Sequence, residues 1–199
     1  MEVELLLDVF EAIKGRRSVR AFLPDEVPQQ DLELILDMAR YAPTAANNQP
    51  WKFLVVRNGK NKVMLQAKIK EFVEKRIDDQ ALELEEKTKR KEDIFQYLEN
   101  LFVVPVLVFL LVDGSQYPEL VMCDGTLAAQ NMMLAAHALG YGTCFQTTFF
   151  PEELVRDYFA IPDHYRLICT VPIGRAASQP EMPQKKPLAS FILEEQFSD

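Results

Sequence analysis

The sequence predicts a single domain of mixed helices and strands, and three observations carry that prediction. The 199 residues are 48% hydrophobic and 26% charged, enough to bury one sizeable core. Several segments repeat their apolar residues at helical spacing, while short runs rich in β-branched residues read as strands. Turn signals join these elements, and no internal repeat, low-complexity tract or linker divides residues 1–199.

Taken in order, Leu6, Val9, Phe10 and Ile13 predict a first helix over 3–13, stopped by Gly15. A start signal at 28–31 opens a second helix that buries Leu32, Ile35, Leu36 and Ala39 and ends near Tyr41. Next comes Ala42-Pro43-Thr44-Ala45-Ala46-Asn47-Asn48-Gln49-Pro50-Trp51, whose prolines and amide side chains break a helix and favour local hydrogen bonds. Its small residues let backbone come close to a flat ligand. Residues 53–57 read as a strand and Asn58-Gly59 as a turn.

Residues 61–100 are helical by period, with Ile69, Val73, Ile77, Ala81 and Leu84 in one stripe and a polar interruption at 85–93. The region reads as two surface helices with a turn or frayed middle, or alternatively as a mobile lid over a site. Residues 103–112 form a buried strand. Asp124 is placed to cap a helix that runs to Leu139 and is apolar or small on nearly every side. Such a helix is either central to the domain or covered by another subunit. Strands follow at 144–148 and 167–173, with a short helix around 151–159 between them. The tail carries Lys185-Lys186-Pro187 and an apolar stretch at 191–193.

The formal net charge is −8, which argues against nucleic acid and anionic membranes as partners. The longest apolar run, 101–112, is too short to span a bilayer and contains Pro105. Cys123, Cys144 and Cys169 form no Cys-x-x-Cys pair, so neither a disulfide framework nor a metal site is signalled, and all three read as reduced core residues. Met1-Glu2-Val3-Glu4 lacks the basic start of an export signal. The expectation is a cytoplasmic protein with no membrane or nucleic-acid role.

Against that acidic background stands Arg16-Arg17-Ser18-Val19-Arg20. A local cationic cluster suits one small anion, and a phosphate is the obvious candidate. Guanidinium makes paired charge-assisted bonds to phosphate oxygens, and a hydroxyl reorients to add another. Taken alone, the five residues also read as a solvated charge run at a helix end.

Three segments in register carry a resemblance: the basic cluster followed by Phe22, the run from Ala42 to Trp51, and the small-residue helix ending in Leu139-Gly140-Tyr141-Gly142-Thr143. Their order and spacing resemble the nitroreductase family of flavin enzymes. The resemblance implies an α+β fold, with a central, mostly antiparallel sheet wrapped by helices and an intertwined homodimer holding FMN at its interface. Arg16, Arg17, Ser18 and Arg20 match family positions that bind the FMN phosphate and ribityl chain. Pro43, Thr44, Ala45 and Asn47 match the segment that the partner subunit lays against the same flavin. Lys185, two positions before Pro187, matches the basic residue that completes the phosphate site, with Lys186 the alternative.

The loop after the long helix departs from the commonest pattern. Where many relatives carry Gly beside flavin N5, this chain has Gln146, Thr147 and Thr148. The Thr pair is similar to the flavin dehalogenase branch, in which a Thr hydroxyl bonds N5 and favours one-electron steps. The same two residues also read as β-branched strand residues chosen for packing. The implied activity passes electrons from NADH or NADPH through FMN N5 to a flat oxidant such as a nitroaromatic or quinone, with ping-pong kinetics. Reductive dehalogenation, breakdown of the flavin, and FMN binding without efficient turnover are the alternatives. No His constellation is needed: His137 reads as a satisfied buried or interface residue, and His164 has no evident role.

Overall fold

The computed structural model describes residues 8–57 and 59–196, and its centre is the strand expected at 103–112. Four strands, β1 (Trp51–Val56), β2 (Val106–Asp113), β3 (Gly142–Thr143) and β4 (Tyr165–Gly174), make one antiparallel sheet in the order β1-β2-β4-β3. The six helices described are α1 (Val9–Gly15), α2 (Gln29–Ala39), α3 (Gly59–Asp78), α4 (Leu84–Phe102), α5 (Val121–Ala138) and α6 (Glu152–Phe159). Because strand side chains alternate, β2 sends Val106, Val108, Leu110 and Val112 into a core under α2 and α5. Leu107 and Phe109 go into a second core with α3, α4 and α6. Both faces being covered explains why the run is continuously apolar.

Local chemistry sets the helix ends. Asp8 caps α1: its carboxylate accepts from the Glu11 amide at 2.9 Å while Glu11 accepts from the Asp8 amide, a capping box. The part of the first predicted helix before Asp8, and Asn58 of the predicted turn, lie outside the described residues. Gly140, at φ +78°, ends the long helix as expected.

Several expectations need correction. Asp124 does not cap α5; the helix starts earlier, with Leu120 at its N-cap, and Asp124 sits buried in the first turn. The helical insertion breaks at 79–83 rather than at 85–93, which is regular helix in α4. Ala81 lies in that break and Leu84 is exposed, so neither joins the stripe. Helical period was read correctly, but its polar stretch is a water-facing helix surface. Within the strand expected at 144–148 only an isolated bridge between Gln146 and Thr170 forms, and the short strand β3 lies just before it at Gly142–Thr143. Cys144 and Cys169 are buried, whereas Cys123, in α5, is exposed.

Close contact explains one residue that helix propensity would reject. A Cβ added at Gly125, inside α5, would lie 2.4 Å from Ile168 Cγ1. Ile168 is the extra residue of a bulge, since Leu110 pairs Cys169 while Leu111 pairs Leu167. Gly125→Ala gains helix propensity but overpacks this contact, so it should cost a net ~1–2 kcal/mol, read as a lower urea midpoint at unchanged m-value.

Tyr141 ties the end of α5 to α2. Its hydroxyl donates to Asp31 Oδ2 at 2.6 Å, and the Arg175 guanidinium lies 4.6 Å from its ring centre while donating to Gly140 O at 3.0 Å. Burial first, then the Asp31 carboxylate, push the hydroxyl pKa from 10.0 up to about 12. An acid whose folded pKa is raised lends stability that is complete below the unfolded value and lost as pH rises through the folded one. Tyr141→Phe should therefore cost about 1–2 kcal/mol below pH 10. The gap between wild type and variant in denaturation curves should close as pH rises from 10 towards 12.

Candidate functional site

The site begins where α1 ends. Residues 18–22 run along the sheet edge: Ser18 bridges Thr143, the Val19 amide donates to Thr143 O at 2.9 Å, and Phe22 bridges Ala176. Val19 and Phe22 point into the second core, so the extended backbone turns Ser18 and Arg20 the opposite way from Val19. The C-terminal tail then comes back across them. Arg16, Arg17, Ser18 and Arg20 join Lys14 and Lys185 around a cavity of about 600 Å³, with Pro180, Met182 and Pro183 in its wall and Glu181 as its carboxylate. Lys186 does not line this cavity.

The cations here are unpaired. Arg40, Lys70, Arg90, Lys91, Arg156 and Arg166 each meet a carboxylate, whereas Arg16, Arg17, Arg20 and Lys185 make no ion pair among the described residues. Arg17 is the one already in use. Its Nη1 donates to the carbonyls of Lys14, Gly15 and Arg16 at 2.7, 2.8 and 2.9 Å, satisfying the carbonyl end of α1, while its Nε is buried without a partner. Thr143 Oγ1 is also buried and has no partner among the described residues. Arg20 makes one long bond to Ser18 O at 3.3 Å, and the Arg16 guanidinium has no hydrogen bond among the described residues. This donor set, with guanidinium groups that meet no carboxylate among the described residues and the Ser18 side chain, fits a phosphate group.

His137 is the neighbour that the sequence did not connect with the cluster. Gly15 exists because of it: a Cβ there would lie 2.6 Å from His137 Nε2, so the glycine marks close approach of α1 to α5 rather than a left-handed stop. Burial, then the charges of Arg16 and Arg17, hold the imidazole below its usual pKa of 6.5.

Three residues along from Thr143, the loop continues past the cluster. Gln146 exchanges backbone bonds with Thr170 at 3.0 and 2.9 Å, and its buried carboxamide donates to the Tyr97 hydroxyl on α4. Cys144 lies between: burial pushes its thiol pKa up, an effect opposed by Arg20, Ser18 and Arg16. Thr147 and Thr148 are exposed on a bend, so the packing reading of this pair fails. They line a separate cavity of about 370 Å³ with Gln146, Arg76, Pro151 and Glu152.

The structure does not bring residues 43–47 to the basic cavity. Ala45–Asn47 is a short 3-10 turn in which Ala46 and Asn47 have φ of 50° and 55°, followed by Gln49 at 48°. Thr44 Oγ1 accepts from the Gln49 amide at 3.2 Å. Left-handed non-glycine residues in such density are a strained shape, held on a largely exposed segment. Among the described residues no group of His, Cys, Asp or Glu could hold a metal ion, and no helix is long and apolar enough to cross a membrane.

Comparison with known proteins agrees with this architecture. The chain matches the Nitroreductase family over residues 13–175, and it belongs to that family. A protein of Methanothermobacter thermautotrophicus carrying the provisional name NADH dehydrogenase/NAD(P)H nitroreductase is 32% identical over 179 residues, covering 87% of this chain and 80% of its own. A Bacteroides fragilis nitroreductase solved with bound FMN superposes with TM-score 0.71 at 25% identity, over 96% of this chain and 100% of that one. Iodotyrosine deiodinase bound to FMN and 3-iodo-L-tyrosine superposes with TM-score 0.76 at 23% identity, over 96% and 100%.

The proximity of His137 to Arg16 gives a direct test of the cluster's electrostatics. Its imidazole should titrate below 6.5 by NMR, and Arg16→Ala should move it upward because the repulsion from one of its two cationic neighbours is removed.

Proposed function

We propose that this chain is an FMN-dependent oxidoreductase that passes electrons from NADH or NADPH to a flat oxidant such as a nitroaromatic or a quinone. The observation that carries the reading is the convergence of unpaired Arg16, Arg20 and Lys185 with Ser18 on one cavity, next to the Gln146 loop. In this reading Arg16, Ser18, Arg20 and Lys185 bind the FMN phosphate through charge-assisted bonds. Arg17 holds the end of α1 and adds positive field. Gln146, Thr147 and Thr148 face the flavin ring near N5. When bound, FMN supplies the electron carrier between donor and oxidant. The chain's own residues orient it, exclude water and leave one face open, so donor and oxidant use the same cleft in turn.

The site is completed by a second copy of the chain. Pro43, Thr44, Ala45 and Asn47 stand away from the basic cavity and would reach the partner's flavin in a homodimer. Support comes from an uncovered apolar surface: Phe10 is 69% exposed and Tyr41 67%, and Val9, Leu34, Met38 and Leu134 line an apolar groove of about 390 Å³. Exposed Met122 and Leu127 on α5 extend it. This is the cover that a helix apolar on nearly every side requires.

A second reading has an observation of its own. Thr147 and Thr148 are exposed, which leaves their hydroxyls available to a flavin atom and supports one-electron chemistry of the dehalogenase type. A third, an FMN-binding protein without efficient turnover, differs only in rate.

The purified protein should be yellow with a flavin spectrum. Arg16→Ala removes charge-assisted bonds of about 1.5–3 kcal/mol each, a roughly ten- to hundredfold weaker FMN complex that should lose flavin on gel filtration. Retention of flavin by that variant would count against the assignment. Stopped-flow mixing with NADH or NADPH should bleach the flavin band; if neither does, the oxidoreductase reading gives way to the binding protein.

A further inference from the structure

We infer that Tyr97, on the helical insertion, is a positioning residue that fixes the loop carrying Thr147 and Thr148. The consequence for FMN binding rests on the flavin reading above. One side chain holds both ends of this loop. At its start, Gln146 is only 5% exposed, so its carboxamide needs a partner inside the protein, and its Nε2 donates to the Tyr97 hydroxyl. At its end, the Phe149 ring stacks on the Tyr97 ring at 4.5 Å between centres and 26° between planes. Thr147 and Thr148 are bracketed between these contacts and are themselves exposed, with no hydrogen bond from their side chains among the described residues. Their placement therefore depends on the bracket.

Tyr97 is itself firmly seated. Leu98 and Leu101 are fully buried on the following turn, Phe102 is nearly so, and Lys70 bonds Glu99 at 2.9 Å across from α3. The start of α4 is different: Leu84 is 80% exposed, and Lys91 and Arg90 hold only exposed carboxylates of 74, 78 and 86. The C-terminal half of α4 is thus the fixed part of the insertion, and any motion of the insertion belongs to the part around 79–93. Because the Tyr97 hydroxyl accepts from Gln146, its own proton stays free for another acceptor. Burial keeps that proton on, and the charge of nearby Arg20 opposes burial. Tyr97 thus touches the loop and feels the charge of Arg20 in the basic cluster, which no motif in 61–100 announces.

Tyr97→Phe keeps the stack and deletes the acceptor. In flavin-free protein, hydrogen exchange at the Gln146 and Thr170 amides, which bond each other's carbonyls, should become about tenfold faster in this variant, while Leu98 and Leu101 stay protected. FMN titration should show a Kd raised by about tenfold. Gln146→Leu removes the other partner, so the Tyr97→Phe/Gln146→Leu double variant should lose little more than Gln146→Leu alone. Unchanged exchange at Gln146 and Thr170, or losses that add fully in the double variant, would overturn the positioning role. Faster exchange with an unchanged FMN Kd would overturn its consequence for the cofactor. If the wild-type protein takes up no FMN, the flavin reading fails, and the exchange comparison still decides whether Tyr97 fixes the loop.

Discussion

Burial of β2 on both faces is the constraint on which the rest of this structure depends. Residues 106–112 are all buried, and each fully buried Leu, Val or Phe contributes about 1.5–3 kcal/mol relative to exposure. To bury both faces the chain must build two layers, and the layers take different tasks. The α2 and α5 side carries the groove, exposed apolar residues and the strained 45–49 segment. The α3, α4 and α6 side carries Tyr97 and Arg76. The basic cluster sits at the sheet edge where the layers meet, because Ser18 and Val19 pair with β3.

The electrostatics of that edge run against the rest of the molecule. In a chain of net charge −8, there are enough carboxylates to pair every cation, yet Arg16, Arg20 and Lys185 have none among the described residues. Glu181, although in the cavity wall, makes no ion pair with them among the described residues. Like charges held together repel one another, and an anion bound among them would relieve that repulsion. A ligand that binds only the folded chain adds its binding energy to stability. The His137 imidazole, held low first by burial, feels the same repulsion from Arg16 and Arg17 in addition.

Contacts between elements also account for residues that local rules misread. Gly15 follows an amphipathic run, so it reads as a helix stop, but its lack of a Cβ admits the His137 ring. Gly125 weakens its own helix and is explained only by the bulge residue Ile168. In each case the deciding atom lies far away in sequence, on another element.

The sequence by itself determined most of the elements and the cationic character of the cluster. Periodicity reports which face of each element meets the core, and side-chain chemistry at Arg16, Ser18 and Arg20 is local. Helix α2, strands β2 and β4, the stop at Gly140 and the small-residue run before Trp51 were all legible for that reason. Only the tertiary structure decided that Lys185 reaches the cluster while Lys186 does not, that Arg17 is turned onto the end of α1, and that Thr147 and Thr148 are exposed on a bend rather than packed in a strand. The link from Tyr97 to Gln146 belongs with these. Each depends on where two distant segments meet, and pairing across the sheet and packing across its faces set that distance, which no spacing along one chain contains.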